Sequence, residues 1–142
     1  MESKLARNVL LVIFLLACLF TQAQTNKIEG LRDQLRKAPD NATRLERLLD
    51  LCEEWESYSP DTFYRYINLA REISGYQNKA KEPLINYYFA AYYFQKNKLD
   101  TCRQIVDSTL KLFQNGKIYD DTYVKLSGLR RNIFLRTDEF EE

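Results

Sequence analysis

Histidine is absent from all 142 residues. It is the side chain best suited to proton transfer near neutral pH and the commonest nitrogen ligand for zinc. Its absence excludes serine–histidine and cysteine–histidine nucleophilic mechanisms and every metal site that needs an imidazole. Glycine and proline are scarce, with four and three copies, so each acts as punctuation between long helical stretches. No charge surplus exists either, since 21 Lys and Arg stand against 20 Asp and Glu. A protein that grips a phosphate backbone carries a cationic excess, so nucleic acid is not an expected partner.

Apolar side chains are plentiful at 45%, beside 29% charged residues, the balance of a folded globular chain rather than a disordered one. Ten tyrosines and eight phenylalanines supply large buried areas to what the length allows to be one small domain.

The first 23 residues do not read as part of that domain. Lys4 and Arg7 precede an unbroken apolar run from Val9 to Phe20, followed by Thr21, Gln22, Ala23 and Gln24. Basic end, apolar segment and small residues form the layout of a secretory signal, with cleavage expected after Ala23. The run is shorter than the roughly 20 apolar residues that cross a bilayer. Leu15-Leu16-Ala17-Cys18 resembles a lipid-attachment box, but Leu16 fits it poorly and Leu19 and Phe20 are apolar where a lipoprotein turns polar. The expectation is export to the periplasm or cell envelope, with membrane attachment only through an uncleaved leader or a lipid on Cys18. Loss of Glu2, Lys4 and Arg7 with the leader leaves the two charge signs equal.

Residues 24–40 read as an N-terminal helix and linker, and 41–142 as the main domain. The first helix spans about 27–37, with Asn26 and Glu29 spaced as a capping box. The second, about 42–56, carries Leu45, Leu48, Leu49, Cys52 and Trp55 at three- and four-residue spacing, an apolar stripe. Asp40 or Asn41 caps it, a plainer reading of Asn41-Ala42-Thr43 than a glycosylation triplet. Ser59 and Pro60 start a third helix with Phe63, Tyr66, Ile67, Ala70 and Ile73 inward, and Gly75 is expected to end it in a left-handed cap. The fourth, about 81–96, is apolar nearly all round and so should be covered on most sides, with Asn97 closing it. The fifth, about 100–114, presents Cys102, Ile105, Val106, Thr109, Leu110 and Phe113, and Asn115-Gly116 stops it. The sixth, about 121–136, presents Tyr123, Leu126, Leu129, Ile133 and Phe134. No strand-like alternation of useful length occurs, so the expected class is all-α. Cys52 and Cys102 fall on apolar stripes of helices that should not touch and read as small core hydrophobes, not a disulfide.

An internal period accompanies this pattern. Tyr58-Ser-Pro-Asp-Thr-Phe63 aligns with Asn97-Lys-Leu-Asp-Thr-Cys102 at an offset of 39, which also matches Trp55 with Phe94, Ile67 with Val106 and Ala70 with Thr109. Asp138-Glu-Phe140 fills the same turn at a further offset of 41. Two helices per period of about 40 residues mean stacked antiparallel hairpins. The pattern resembles the tetratricopeptide repeat in the longer-period form of exported bacterial regulatory proteins. Phe89-Ala90 and Tyr93 fall on the large–small pair and aromatic of the first repeat helix, and Cys102, Val106, Thr109 and Leu110 on the small and apolar places of the second. Phe63 departs from the usual alanine, Glu54 from an aromatic and Arg131 from a small residue. Units of about 42–75, 81–116 and 119–142 follow, the last without its second helix. The chain then either continues beyond Glu142 or leaves that end frayed or paired with a partner. A different helical repeat or a non-repeating bundle is the alternative architecture.

The resemblance implies a protein-interaction or scaffold module whose first helices line a concave groove. Carried over, the peptide-binding positions are Leu45, Leu48, Cys52 and Trp55 on one unit and Leu84, Tyr87, Ala91 and Phe94 on the next. The partner is a protein or peptide of unknown identity, with no cofactor and no metal. A second reading makes the chain the extracytoplasmic front of a larger sensor kinase or transcriptional regulator. The neighbouring acids Asp120-Asp121, Glu53-Glu54 and Glu139, Glu141 and Glu142 read as helix-terminal and solvated carboxylates, so no enzyme is expected.

Overall fold

The computed structural model describes residues 25–77, 79–116 and 120–137. The expected leader with its cleavage after Ala23, Cys18 and the expected turn at Asp138–Glu142 lie outside the described residues. Six helices follow in order: α1 (residues 25–37), α2 (Asn41–Trp55), α3 (Pro60–Gln77), α4 (Glu82–Gln95), α5 (Leu99–Gly116) and α6 (Asp121–Thr137). A short 3₁₀ turn, Lys79–Lys81, leads into α4. The described residues contain no strand, and none of their helices is long and apolar enough to cross a membrane.

Local chemistry sets most helix ends. Asp40 caps α2, its carboxylate accepting from Thr43 N–H at 2.7 Å, and this bond holds the Asp40 carboxyl below the usual range. Ser59 Oγ accepts from Thr62 N–H at 3.4 Å at the head of α3. Asp120 accepts from Tyr123 N–H at 3.0 Å at the head of α6. Asn97 takes a φ of 55° after α4, with Lys98 N–H bonded to Tyr93 C=O and Asn97 N–H to Phe94 C=O. That pairing satisfies the last carbonyls of the helix and turns the chain sharply into α5.

Two local expectations are corrected. Gly75 does not end α3 in a left-handed conformation, because the helix runs on to Gln77 and no described glycine has positive φ. A glycine inside a helix costs only about 1 kcal/mol relative to alanine, and the packing of Ile73 and Ser74 beside it carries the helix through. Asn26 does not cap α1, since residues 25 and 26 already belong to that helix. At the α5 terminus the helix takes in Asn115 and Gly116 before ending.

Packing proceeds between chain neighbours: α2 on α3, α3 on α4, α4 on α5 and α5 on α6, with α4 also meeting α6. The short connections make consecutive helices antiparallel. One apolar cluster joins Leu45, Leu48, Leu49 and Cys52 of α2 to Phe63, Ile67 and Ala70 of α3 and Ile85, Tyr88, Phe89 and Ala91 of α4. Leu35 of α1 packs against it from the far side. A second cluster gathers Ala90 of α4, Cys102, Val106, Leu110 and Phe113 of α5, and Leu126, Leu129 and Ile133 of α6. The all-round apolar α4 therefore serves both clusters, which is why it lacks a polar stripe. Aromatic edges lock α3 to α4: Phe63 meets Tyr88 at 5.8 Å and Tyr64 stacks on Tyr92 at 4.5 Å. Such pairs add about 0.5–1.5 kcal/mol each beyond area burial. Cys52 and Cys102 are free, buried thiols in different clusters.

Candidate functional site

The contact of α4 with α6 leaves a cleft floored by α4 and walled by α2 and α6. Its wider part, about 670 Å³, is lined by Leu49, Asp50 and Glu53 of α2, Leu84 and Tyr88 of α4, and Asp121, Val124 and Lys125 of α6. Its narrower part, about 330 Å³, lies between Glu56, the α4 residues Tyr87, Ala91, Phe94 and Gln95, and the α6 residues Val124, Lys125, Gly128 and Leu129. Val124 and Lys125 line both parts, so the two form one continuous groove.

Hydrogen bonds fix the floor against the α2 wall. Tyr87 OH donates to Glu56 Oε1 at 2.7 Å, and Gln95 Nε2 donates to the Glu56 carbonyl. Deeper, Tyr88 OH donates to the Leu49 carbonyl at 3.5 Å. Burial pushes both phenols well above the ordinary tyrosine value, and Glu56 adds to the effect on Tyr87. Both hydroxyls therefore remain protonated donors. The opposite wall reaches across: Lys125 Nζ lies 3.1 Å from Glu53 Oε1 and 5.6 Å from the Tyr87 ring centre. Arg47 pairs with Asp50 at 2.6 Å along the rim. Both ion pairs are solvated and so contribute little to stability. Their effect is to leave a polar rim around an apolar middle, where Val124 is 65% exposed. An aromatic floor, mixed apolar and charged walls and satisfied polar edges suit a segment of polypeptide.

Of the positions expected from sequence, α4 supplies its full set to this groove: Leu84, Tyr87, Ala91 and Phe94. The α2 set lies elsewhere. Leu45, Leu48 and Cys52 are buried in the first cluster between α2, α3 and α4. Trp55 is half-buried against that cluster with the Arg32 guanidinium of α1 5.6 Å from its ring, and its buried Nε1 has no hydrogen-bond partner among the described residues. The α2 residues that do face the cleft, Leu49, Asp50 and Glu53, sit about one residue further round the helix. Leucine stripes mark the side a helix buries most deeply, and on α2 that is the side against its neighbours rather than the rim.

Sequence reasoning also missed the α6 wall. Applying the 41-residue offset to Leu84, Tyr87 and Ala91 gives Lys125, Gly128 and Asn132, all of which line the groove. That signal was available, but lysine, glycine and asparagine do not look like binding residues outside their place in a row. Among the described residues, no group of three or more His, Cys, Asp or Glu side chains is placed to hold a metal ion. No protein-family model matches the chain, and searches of curated proteins and of solved structures return no match.

Proposed function

We propose that this chain is an exported protein-interaction module, built from tetratricopeptide-like helical hairpins, that holds a peptide segment of a partner protein in the α2–α4–α6 groove. The groove carries the reading: exposed Val124 and the α4 residues Tyr87 and Phe94 lie between charged side chains of α2 and α6, so one cleft offers both apolar contact and hydrogen-bonding edges. Support for the repeat comes from equivalent burial at the 39-residue offset. Phe63 and Cys102, Ile67 and Val106, and Ala70 and Thr109 are matched pairs, every member at most 1% exposed. Support for export comes from the sequence of residues 1–23. In such a groove a bound segment gains mainly by covering Val124, Tyr87 and Phe94, with Glu53, Glu56 and Lys125 fixing its direction through hydrogen bonds.

Selection of random peptides on the immobilised chain tests this. Recovered peptides should lose most of their affinity for Val124→Glu, by about 2 kcal/mol or more as at an interface hot spot. Gly128→Leu should block them too, since open space surrounds the missing Cβ. Both variants should keep the native melting temperature. Peptides that bind both variants as well as the native chain would place the site elsewhere.

A further inference from the structure

The outer side of α6 bears a second feature, separate from the groove. At the 41-residue offset Ile85, Tyr88 and Tyr92 of α4 correspond to Leu126, Leu129 and Ile133 of α6. The same offset carries Phe89, Ala90 and Tyr93 to Arg130, Arg131 and Phe134. On α4, Phe89 and Ala90 are buried, Ala90 within the cluster it shares with α5. On α6 the corresponding side is open, with both arginines exposed and Phe134 41% exposed. Together with α5 it forms a shallow cleft of about 330 Å³ lined by Leu110, Tyr123, Ser127, Arg130, Arg131 and Phe134.

The chemistry of this cleft is one-sided. Among the described residues, arginines are its only charged lining groups. Arg130 lies with its guanidinium 5.7 Å from the Phe134 ring centre and its Nε 3.1 Å from Asp107, and the Arg103 guanidinium approaches the same ring at 5.7 Å. Arg131 has no ion-pair partner among the described residues. A guanidinium set against a ring keeps its N–H edge free for a carboxylate, which it can hold through two parallel hydrogen bonds. Apolar surface continues past it at Leu135, which is 51% exposed.

We propose that the α5–α6 face docks an acidic amphipathic helix of a partner protein. Carboxylates of that helix pair with Arg130 and Arg131, and its apolar stripe covers Tyr123 and Phe134. Acidity follows from the two arginines of the lining, of which Arg130 already holds Asp107 and Arg131 has no ion-pair partner among the described residues. A helix follows from the equivalent side of α4, which accepts α5 along its length. A second copy stacked end to end is disfavoured, because α1 at the other end is also basic, with Lys27, Arg32, Arg36 and Lys37 against Glu29 and Asp33. Like charges would then meet.

The test is fluorescence anisotropy of a labelled helical peptide with glutamates flanking a leucine stripe, titrated with the full chain. Binding should saturate, weaken as salt rises, and fall by about tenfold or more in Arg131→Glu, as for loss of a charge pair at an interface. Arg131→Gln should fall between the two. Arg131 is exposed, so both variants should keep the native melting temperature. The groove variant Val124→Glu should bind the peptide normally, which separates this proposal from the groove reading. Equal binding of a lysine version of the peptide would overturn it, as would unchanged binding by Arg131→Glu or loss in Val124→Glu. So would a preference for phosphatidylglycerol-containing vesicles over the peptide, or a self-association in sedimentation that Arg131→Glu abolishes.

Discussion

The two apolar clusters share α4 yet differ in how they are covered. The first, between α2, α3 and α4, is closed on its outer side by Leu35 of α1 and is filled with aromatic rings. The second, between α4, α5 and α6, is mostly aliphatic and ends at α6. Exposed large apolar side chains follow the same division: Leu112, Val124, Phe134 and Leu135 lie on α5 and α6, against Tyr58 and Leu69 in the first half. Among the described residues α6 packs chiefly against α4 and α5, so much of its surface stays uncovered. Both candidate binding surfaces use α6 for that reason.

Substitutions can break that comparison. Phe63→Ala should have the largest effect, about 3–5 kcal/mol in denaturant unfolding, the usual cost of deleting a buried ring. Phe63 is fully buried and edge-on to Tyr88, so the cavity would sit where α2, α3 and α4 meet. Cooperative loss of the whole domain is expected. Leu126→Ala should cost less, about 2–3 kcal/mol, the low end for a buried leucine, because α6 is covered from one side and can relax. Hydrogen exchange should then rise in α5 and α6 while α2 and α3 stay protected. Equal loss of protection from α2 through α6 after Leu126→Ala would show that the two clusters are a single cooperative unit.

The smallest expected effect concerns pH and sharpens the same contrast. Burial pushes the Cys102 thiol up to about 11 and the Cys52 thiol further, with Glu56 adding to the latter. Each keeps its proton in the folded state while the unfolded chain loses it from the ordinary value of 9.0 upward. Above that point the unfolded state binds fewer protons, so stability is full below it and falls as pH rises through 11. Tyr87 and Tyr88 act in the same direction at higher pH. The urea midpoint should therefore drop between about pH 9 and pH 11, and a thiol reagent should modify Cys102 before Cys52. Reaction of Cys52 first would reverse the ranking of the two clusters.

Much of the fold was legible because its signals are local. Apolar residues at three- and four-residue spacing, Asp40, Ser59 and Asn97 fixed six helices and most of their ends. Gly75 misled because its own backbone freedom counts for less than the packing of the residues around it. Half of the groove was legible on α4, where a helix apolar on all sides must show some of that surface. On α2 the richest stripe, Leu45, Leu48 and Cys52, marked the core instead, and Trp55 went beneath α1.

The sequence by itself determined the helical class, the helix order and the placing of Cys52 and Cys102 on apolar helix stripes. Each depends on spacing along the chain or on the character of single side chains. Tertiary structure alone decided which helix faces meet: that Glu53 of α2 reaches Lys125 of α6 across α4, and that Arg130, Arg131 and Phe134 are left uncovered. Helix periodicity says how far round an axis a residue lies, but not how the axis is turned toward its neighbours, and that rotation comes from packing all the helices at once.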